Sequence, residues 1–228
     1  MSRDGLVLQF GDSGPPALLA EWAAARDVGL TIHRADLAEP PAGLVDGHRW
    51  VAVLGSRFSP SDAGEPQVRR ARAVVEEAVD GDVPVLGLCF GGQLLASVLG
   101  GEVQPAPRPE LGWVTFDSAD PGAVPPGPWL SWHWHRFTTP PGGTELARND
   151  IGVQAFGHGR HLGVQFHPES TIEVVSVWAQ KDGVADGRAL LEQGRPHAQA
   201  ATDAAYRLFD RFAATADPDG GETIHGAS

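Results

Sequence analysis

Short apolar runs alternate with amphipathic stretches along the first half of the chain. The apolar runs have the length and the Val/Leu content of buried strands, and they lie at residues 6–10, 30–34, 50–54 and 83–88. The stretches at residues 17–25 and 67–78 place apolar positions at helical spacing, and residues 93–99 are predicted to form a further helix. This alternation predicts an α/β fold, a three-layer sandwich built on a mainly parallel central sheet.

The second half of the chain continues with strands and helices. Strands are predicted from residue 102 onward and at residues 129–137, 151–156 and 161–166. Helices are predicted at residues 170–180, with Ser170 or Thr171 as the N-cap, and at residues 187–193 and 198–214. We expect a single domain over residues 1–228 with its core at about 6–213, and a frayed tail at 217–228.

The junction between a strand and a helix near residue 89 has the form of a nucleophile elbow. The apolar run that ends at Leu88 is followed by Cys89, and glycines stand two positions before and two after it, at Gly87 and Gly91. At a helix N-terminus, backbone N–H groups and the helix dipole favour thiolate over thiol. An isolated cysteine is more often a small buried apolar residue, so the elbow needs a second motif to support it.

That second motif is the strand end Gln165-Phe166-His167-Pro168-Glu169. In an extended segment, His167 and Glu169 point to the same side, so the carboxylate can orient the imidazole. A lone His-Pro-Glu is most simply an exposed strand end. Together with Cys89, the two residues complete the set that acyl transfer through a thiol requires.

The stretches GLCFGGQ and GVQFHPE resemble those of class I (triad-type) glutamine amidotransferases, and the resemblance runs from about residue 6 to residue 213. It implies that Cys89 is the nucleophile, that His167 is the base and acid, and that Glu169 orients His167. It also implies that Gln93 contacts the bound glutamine. From the geometry of the elbow, the backbone amide of Phe90 faces the same point as Cys89 and is expected to contribute to an oxyanion hole.

Two segments depart from the family pattern near the expected pocket. The family's Gly-Gly-Pro-x-Ser reads Gly55-Ser56-Arg57-Phe58-Ser59 here, and the backbone of Gly55 and Ser56 is expected to form the other half of the oxyanion hole. The family's Trp-His-Gly-Asp reads Trp132-His133-Trp134-His135, so Trp134 and His135 are expected either to alter what enters the pocket or to form a partly exposed aromatic loop. The segment Glu110-Leu111-Gly112-Trp113 is similar to the family's Glu-Ile-Gly-Trp, and we interpret Trp113 as packing.

The net charge, the single cysteine and the histidines limit the binding partners and cofactors that we expect. The net charge of −12 argues against nucleic acid and anionic membranes. Cys89 is the only cysteine, which favours a reducing, cytoplasmic location, and we find neither a leader pattern nor a membrane-spanning run. A zinc site that combines His133 and His135 with His158 or His161 is conceivable, but no acidic or cysteine ligands accompany them, so we predict no metal and no cofactor.

Three functions follow from these patterns. The first is a glutaminase that releases ammonia for a separate synthetase, because the chain has no nucleotide-binding Ser-Gly-Gly-x-Asp-Ser loop. The second is a stand-alone hydrolase of another γ-glutamyl compound, suggested by Trp134-His135 and by Gly92, where a histidine is usual. The third is a catalytically silent regulatory module, against which the intact Cys89, His167 and Glu169 argue; unchanged biological activity in Cys89→Ala would favour it.

Overall fold

The fold is described from a computed structural model, which covers residues 5–183 and 186–216. The tail predicted at residues 217–228 lies outside the described residues.

A central sheet contains eight strands in the order β2-β1-β3-β4-β10-β9-β8-β6. Its parallel part comprises β1 (Gly5–Gln9), β2 (Leu30–Arg34), β3 (Trp50–Val53), β4 (Val85–Leu88) and β10 (His161–Val164). Its antiparallel extension comprises β9 (Val153–His158), β8 (Thr144–Arg148) and β6 (Asp117–Ser118). The mainly parallel sheet predicted from strand–helix alternation is confirmed.

A separate two-stranded antiparallel sheet pairs β5 (Val103–Val114) with β7 (Trp129–Phe137). This second sheet is separate from the central sheet, and its strand β7 contains Trp134 and His135. The helices are α1 (Ala17–Ala25), α2 (Pro66–Asp80), α3 (Phe90–Val98), α4 (Ile172–Asp182), α5 (Gly187–Gly194) and α6 (Ala198–Thr215). No helix within residues 5–183 and 186–216 is both long enough and apolar enough to cross a bilayer.

Side chains of alternate residues in the parallel strands pack into two hydrophobic cores, one on each face of the sheet. Val7 of β1 packs with α1 and α6, whereas its neighbours Leu6 and Leu8 pack with α2 and α3. The apolar runs of the parallel strands are continuous because both faces are covered. The three layers are therefore helices, sheet and helices, as the sequence predicts.

The structure departs from the sequence predictions most clearly at the start of α3, at the cap of α4 and in strands β6 and β8. Helix α3 begins at Phe90, directly after Cys89, rather than at Gln93, so Gly91 and Gly92 are helical. Thr171 is the N-cap residue of α4, but neither it nor Ser170 caps the helix through its side chain. Strands β6 and β8 were not predicted, because their short, half-polar sequences become strands only by pairing with a neighbour.

Candidate active site

Cys89 lies at the sharp turn between β4 and α3. Its backbone has φ 52° and ψ −105°, a conformation that a residue with a Cβ adopts only when its surroundings enforce it. The Cys89 N–H donates to the Val164 carbonyl of β10 at 2.9 Å, and the Gln93 N–H closes the first helical turn onto the Cys89 carbonyl at 3.0 Å. A Cβ at Gly91 would lie 2.0 Å from the Val53 carbonyl oxygen, so only glycine lets α3 start this close to β3.

His167 and Glu169 follow β10, the strand beside β4, and two other elements hold them by their backbones. The His167 N–H donates to the Leu130 carbonyl of β7 at 2.8 Å, and the Glu169 carbonyl accepts from the Leu18 N–H of α1 at 2.9 Å. The Nδ1 of His167 lies 2.8 Å from Oε1 of Glu169, and both side chains are buried. This contact leaves the other ring nitrogen of His167 free to interact with the Cys89 thiol.

The electrostatic surroundings of His167 favour its charged form. Burial alone would lower the pKa of the imidazole, but attraction to Cys89 and Glu169, with hydrogen bonds to both, raises it from 6.5 to about 10. The imidazole of His167 therefore holds its proton, which it can deliver to a leaving group.

All the candidate residues identified from the sequence line one cavity of about 650 Å³. They are Cys89, His167, Glu169, Phe90, Gly55, Ser56, Gln93, Trp134 and His135. The cavity opens at the carboxyl ends of the parallel strands, where ligands bind in open α/β sheets.

The loop after β3 contacts the imidazole directly. A Cβ at Gly55 would lie 2.7 Å from Cε1 of His167, so the loop can pass under the ring only because residue 55 is glycine. Ser56, where the family pattern has glycine, is not among the described non-glycine residues with positive φ, so its Cβ is accommodated without backbone strain.

Gln93 is buried, and its amide is already engaged. Its Nε2 donates to the His135 carbonyl at 3.1 Å and to Oε1 of Gln165 at 3.4 Å. Gln165 in turn directs its own Nε2 toward the Cys89 sulfur at 3.9 Å. Gln93 thus connects the cavity wall at β7 to the thiol through Gln165, a residue that the sequence analysis did not single out.

Trp178 of α4 is a second residue whose place the sequence did not reveal. The ring of Trp178 lies against His167 with a centroid distance of 4.7 Å. Its indole N–H donates to the Ser13 carbonyl at 2.6 Å, and the indole of Trp132 donates to Asp182 at 2.8 Å. These two bonds hold α4 over the cavity.

The histidines considered for zinc are not gathered into a site. His133 binds the carboxylate of Glu110 at 2.9 Å, and His161 accepts a bond from the Val85 N–H at 3.2 Å. Within the part of the chain that the structure describes, no three His, Cys, Asp or Glu side chains are placed to hold a metal ion.

A cysteine at a strand–helix elbow and a buried His–Glu pair thus line one cavity. The family model for glutamine amidotransferase class I matches residues 54–176. The chain belongs to the class I glutamine amidotransferase family.

Among curated proteins, the chain is similar to GMP synthases. A glutamine-hydrolysing GMP synthase of Stenotrophomonas maltophilia (strain K279a) is 34% identical over 139 residues, which cover 55% of this chain and 26% of the relative. A glutamine-hydrolysing GMP synthase subunit of Ignicoccus hospitalis is 39% identical over 95 residues, which cover 38% of this chain and 50% of the relative. The chain therefore spans half or less of these curated relatives.

Solved structures share the fold at low sequence identity. A glutamine amidotransferase from Methylobacillus flagellatus superimposes with a TM-score of 0.84 at 22% identity, covering 100% of this chain and 99% of that one. A glutamine amidotransferase from Thermotoga maritima gives a TM-score of 0.80 at 20% identity, covering 92% and 97%.

Proposed function

We propose that this chain hydrolyses the side-chain amide of glutamine through a γ-glutamyl thioester on Cys89, and that it releases glutamate and ammonia. The observation that carries the proposal is the convergence of the Cys89 elbow and the buried His167–Glu169 pair on one cavity. Membership of the class I family supports glutamine as the source of the amide.

In the first half of the reaction, the Cys89 thiolate attacks the amide carbon and a C–S bond forms. The charge that develops on the carbonyl oxygen is stabilised by backbone N–H groups of Phe90 and of the Gly55–Ser56 loop, which line the cavity beside Cys89. His167 gives its proton to the leaving nitrogen, the C–N bond breaks, and ammonia departs.

In the second half, a water molecule replaces ammonia. His167 takes a proton from the water, the oxygen attacks the thioester carbon, and the C–S bond breaks to release glutamate and the thiolate. Glu169 holds Nδ1 of His167, so that the other ring nitrogen serves both transfers.

Gln93, Trp134 and His135 form the substrate side of the proposed site. The amide of Gln93 is held by the His135 carbonyl and Gln165, so its position is set before substrate arrives. Trp134 is 40% exposed on the cavity wall, and we assign it and His135 to the pocket entrance.

The ammonia acceptor in this proposal is a separate synthetase. The similarity to the Ignicoccus hospitalis protein, which is one subunit of a GMP synthase, supports a division of labour between two chains. No cofactor enters the proposed chemistry, because each proton moves between the substrate, His167 and water.

The stand-alone γ-glutamyl hydrolase is the second candidate. The cavity has a volume of about 650 Å³, which is typical of cavities that hold drug-sized ligands. Glutamine is much smaller than such ligands, so this volume favours a substrate whose leaving group is bulkier than ammonia.

The proposal is tested by mixing the protein with glutamine, quenching in acid and measuring both intact mass and released glutamate. We expect a γ-glutamyl adduct on Cys89 and slow glutamate release, both lost in Cys89→Ala by about a thousandfold or more. Arg207→Gln, an exposed change on α6, serves as the matched control that leaves both signals unchanged. A folded protein that forms no adduct with glutamine and releases no glutamate from it would overturn the proposal, and turnover of a γ-glutamyl dipeptide alone would favour the second candidate.

A further inference from the structure

Among the residues that the structure describes, two basic side chains on the cavity wall have no acidic partner. Arg57, from the loop after β3, and Lys181, near the end of α4, both line the cavity that holds Cys89. Within residues 5–183 and 186–216 neither forms an ion pair, and the guanidinium of Arg57 instead lies over the Phe58 ring at 4.8 Å. Both residues are exposed to solvent, so they are placed at the mouth of the cavity, where they can attract an incoming anion to a chain whose net charge is −12.

The remaining charges of the cavity can be matched to a ligand. Apart from the reacting set of Cys89, His167 and Glu169, the wall presents the bases Arg57 and Lys181 and the acid Asp182. The γ-glutamyl group of any substrate carries one α-ammonium and one α-carboxylate. These would match Asp182 and one of the two bases, and outside the reacting set the wall offers the other base no acidic side chain.

Both departures from the family motifs change the cavity charge in the same direction. Arg57 stands where the family has an uncharged proline, and His135 stands where it has an aspartate. The chain thus gains a cation and loses an anion at positions that line the same cavity.

We infer that the cavity takes γ-glutamyl compounds whose leaving amine carries a carboxylate, that is, γ-glutamyl amino acids. This inference rests on the proposed γ-glutamyl thioester chemistry and names its substrate class. The planar guanidinium of Arg57, held against Phe58, suits bidentate binding of a carboxylate, and Lys181 supplies the second positive charge.

The reaction balances without a co-reactant other than water. The C–S bond to Cys89 forms as the C–N bond to the amino acid breaks, and His167 protonates the departing amine. Water then cleaves the thioester, so the products are glutamate and the free amino acid.

The test compares γ-glutamylglycine with γ-glutamylglycinamide, in which a neutral amide of similar size replaces the carboxylate of the leaving group. Binding is measured by calorimetry on Cys89→Ala, which cannot turn over, and kcat/KM is measured on the unmodified protein. We expect γ-glutamylglycine to be favoured about tenfold in both measurements. The preference should fall toward one in Arg57→Gln and in Lys181→Gln, each combined with Cys89→Ala for the binding assay, and it should persist in the control Arg207→Gln.

The outcomes separate this inference from the proposed function. Equal binding and equal kcat/KM for the two compounds would overturn it, and a glutamine-derived adduct on Cys89 would then leave the glutaminase proposal intact. A preference that survives in both Arg57→Gln and Lys181→Gln would overturn the assignment of the carboxylate to these residues. If neither dipeptide binds or is cleaved while glutamine forms the adduct, the inference is again overturned and the proposed function stands.

Discussion

At the scale of single residues, the charge on His167 depends on its neighbour Cys89. Burial lowers the imidazole pKa, and attraction to Cys89 is the largest of the contributions that raise it, ahead of Glu169. Attraction and hydrogen bonds to these two residues jointly exceed the effect of burial. Replacing the sulfur should therefore lower the pKa of His167 from about 10, while the contact with Glu169 remains.

This expectation can be measured by NMR titration of the imidazole in the unmodified protein and in Cys89→Ala. We expect His167 to lose its proton at a clearly lower pH in the variant. His161, whose pKa is not coupled to Cys89, provides an internal reference in the same spectra. Identical titration of His167 in the two proteins would show that no thiolate–imidazolium pair forms.

At the scale of elements, Glu110 joins the two-stranded sheet to the central sheet. Its buried carboxylate on β5 accepts hydrogen bonds from Ser131 and His133 of β7, from Asn149 after β8, and from Gln154 of β9. Burial raises the pKa of this carboxyl, but the bonds from His133, Ser131 and Asn149 outweigh it and hold the pKa below its usual value. Glu110 therefore fixes the strand that carries Trp134 and His135.

Glu110→Ala should lower the free energy of unfolding by about 2–4 kcal/mol, because it leaves several buried donors without an acceptor. Urea unfolding measures this difference. Glu102→Ala, at an exposed position just before β5, is the matched control and should change stability by less than about 0.5 kcal/mol. Equal stabilities of the two variants would mean that the network does not hold the sheets together.

At the scale of the whole molecule, His161 makes stability depend on pH. It lies buried at the start of β10 against β4, and burial, with the nearby charges of His158 and Arg160, lowers its pKa from 6.5 to about 4. Between these values the unfolded chain binds a proton that the folded protein does not, so stability falls as the pH drops from 6.5 toward 4.

Below both pKa values of His161, the free energy of unfolding should be lower by about 3 kcal/mol than it is above them. Urea unfolding across this pH range should show that loss in the unmodified protein and a shallower dependence in His161→Asn, whose side chain still offers an acceptor to the Val85 N–H. Parallel curves for the two proteins would contradict the assignment to His161.

The sequence by itself determined the succession of parallel strands and helices along the chain, the elbow at Cys89 and the spacing of His167 and Glu169. These features are local, since apolar periodicity, glycine positions and the two-residue alternation of a strand depend only on nearby residues. The sequence predicts the start of α3 three residues too late, at Gln93 instead of Phe90, because Gly91 and Gly92 have a low helix propensity. The structure needs glycine at residue 91, because the helix packs closely against β3 there.

Only the tertiary structure decided which distant residues share the cavity. Trp178 covers His167, Gln165 reaches the Cys89 sulfur, and Arg57 faces the same space as Lys181. These contacts depend on β10 lying beside β4 and on α4 folding back over the strand ends. No periodicity in the sequence encodes that placement, because it arises from burial of apolar faces across the whole sheet.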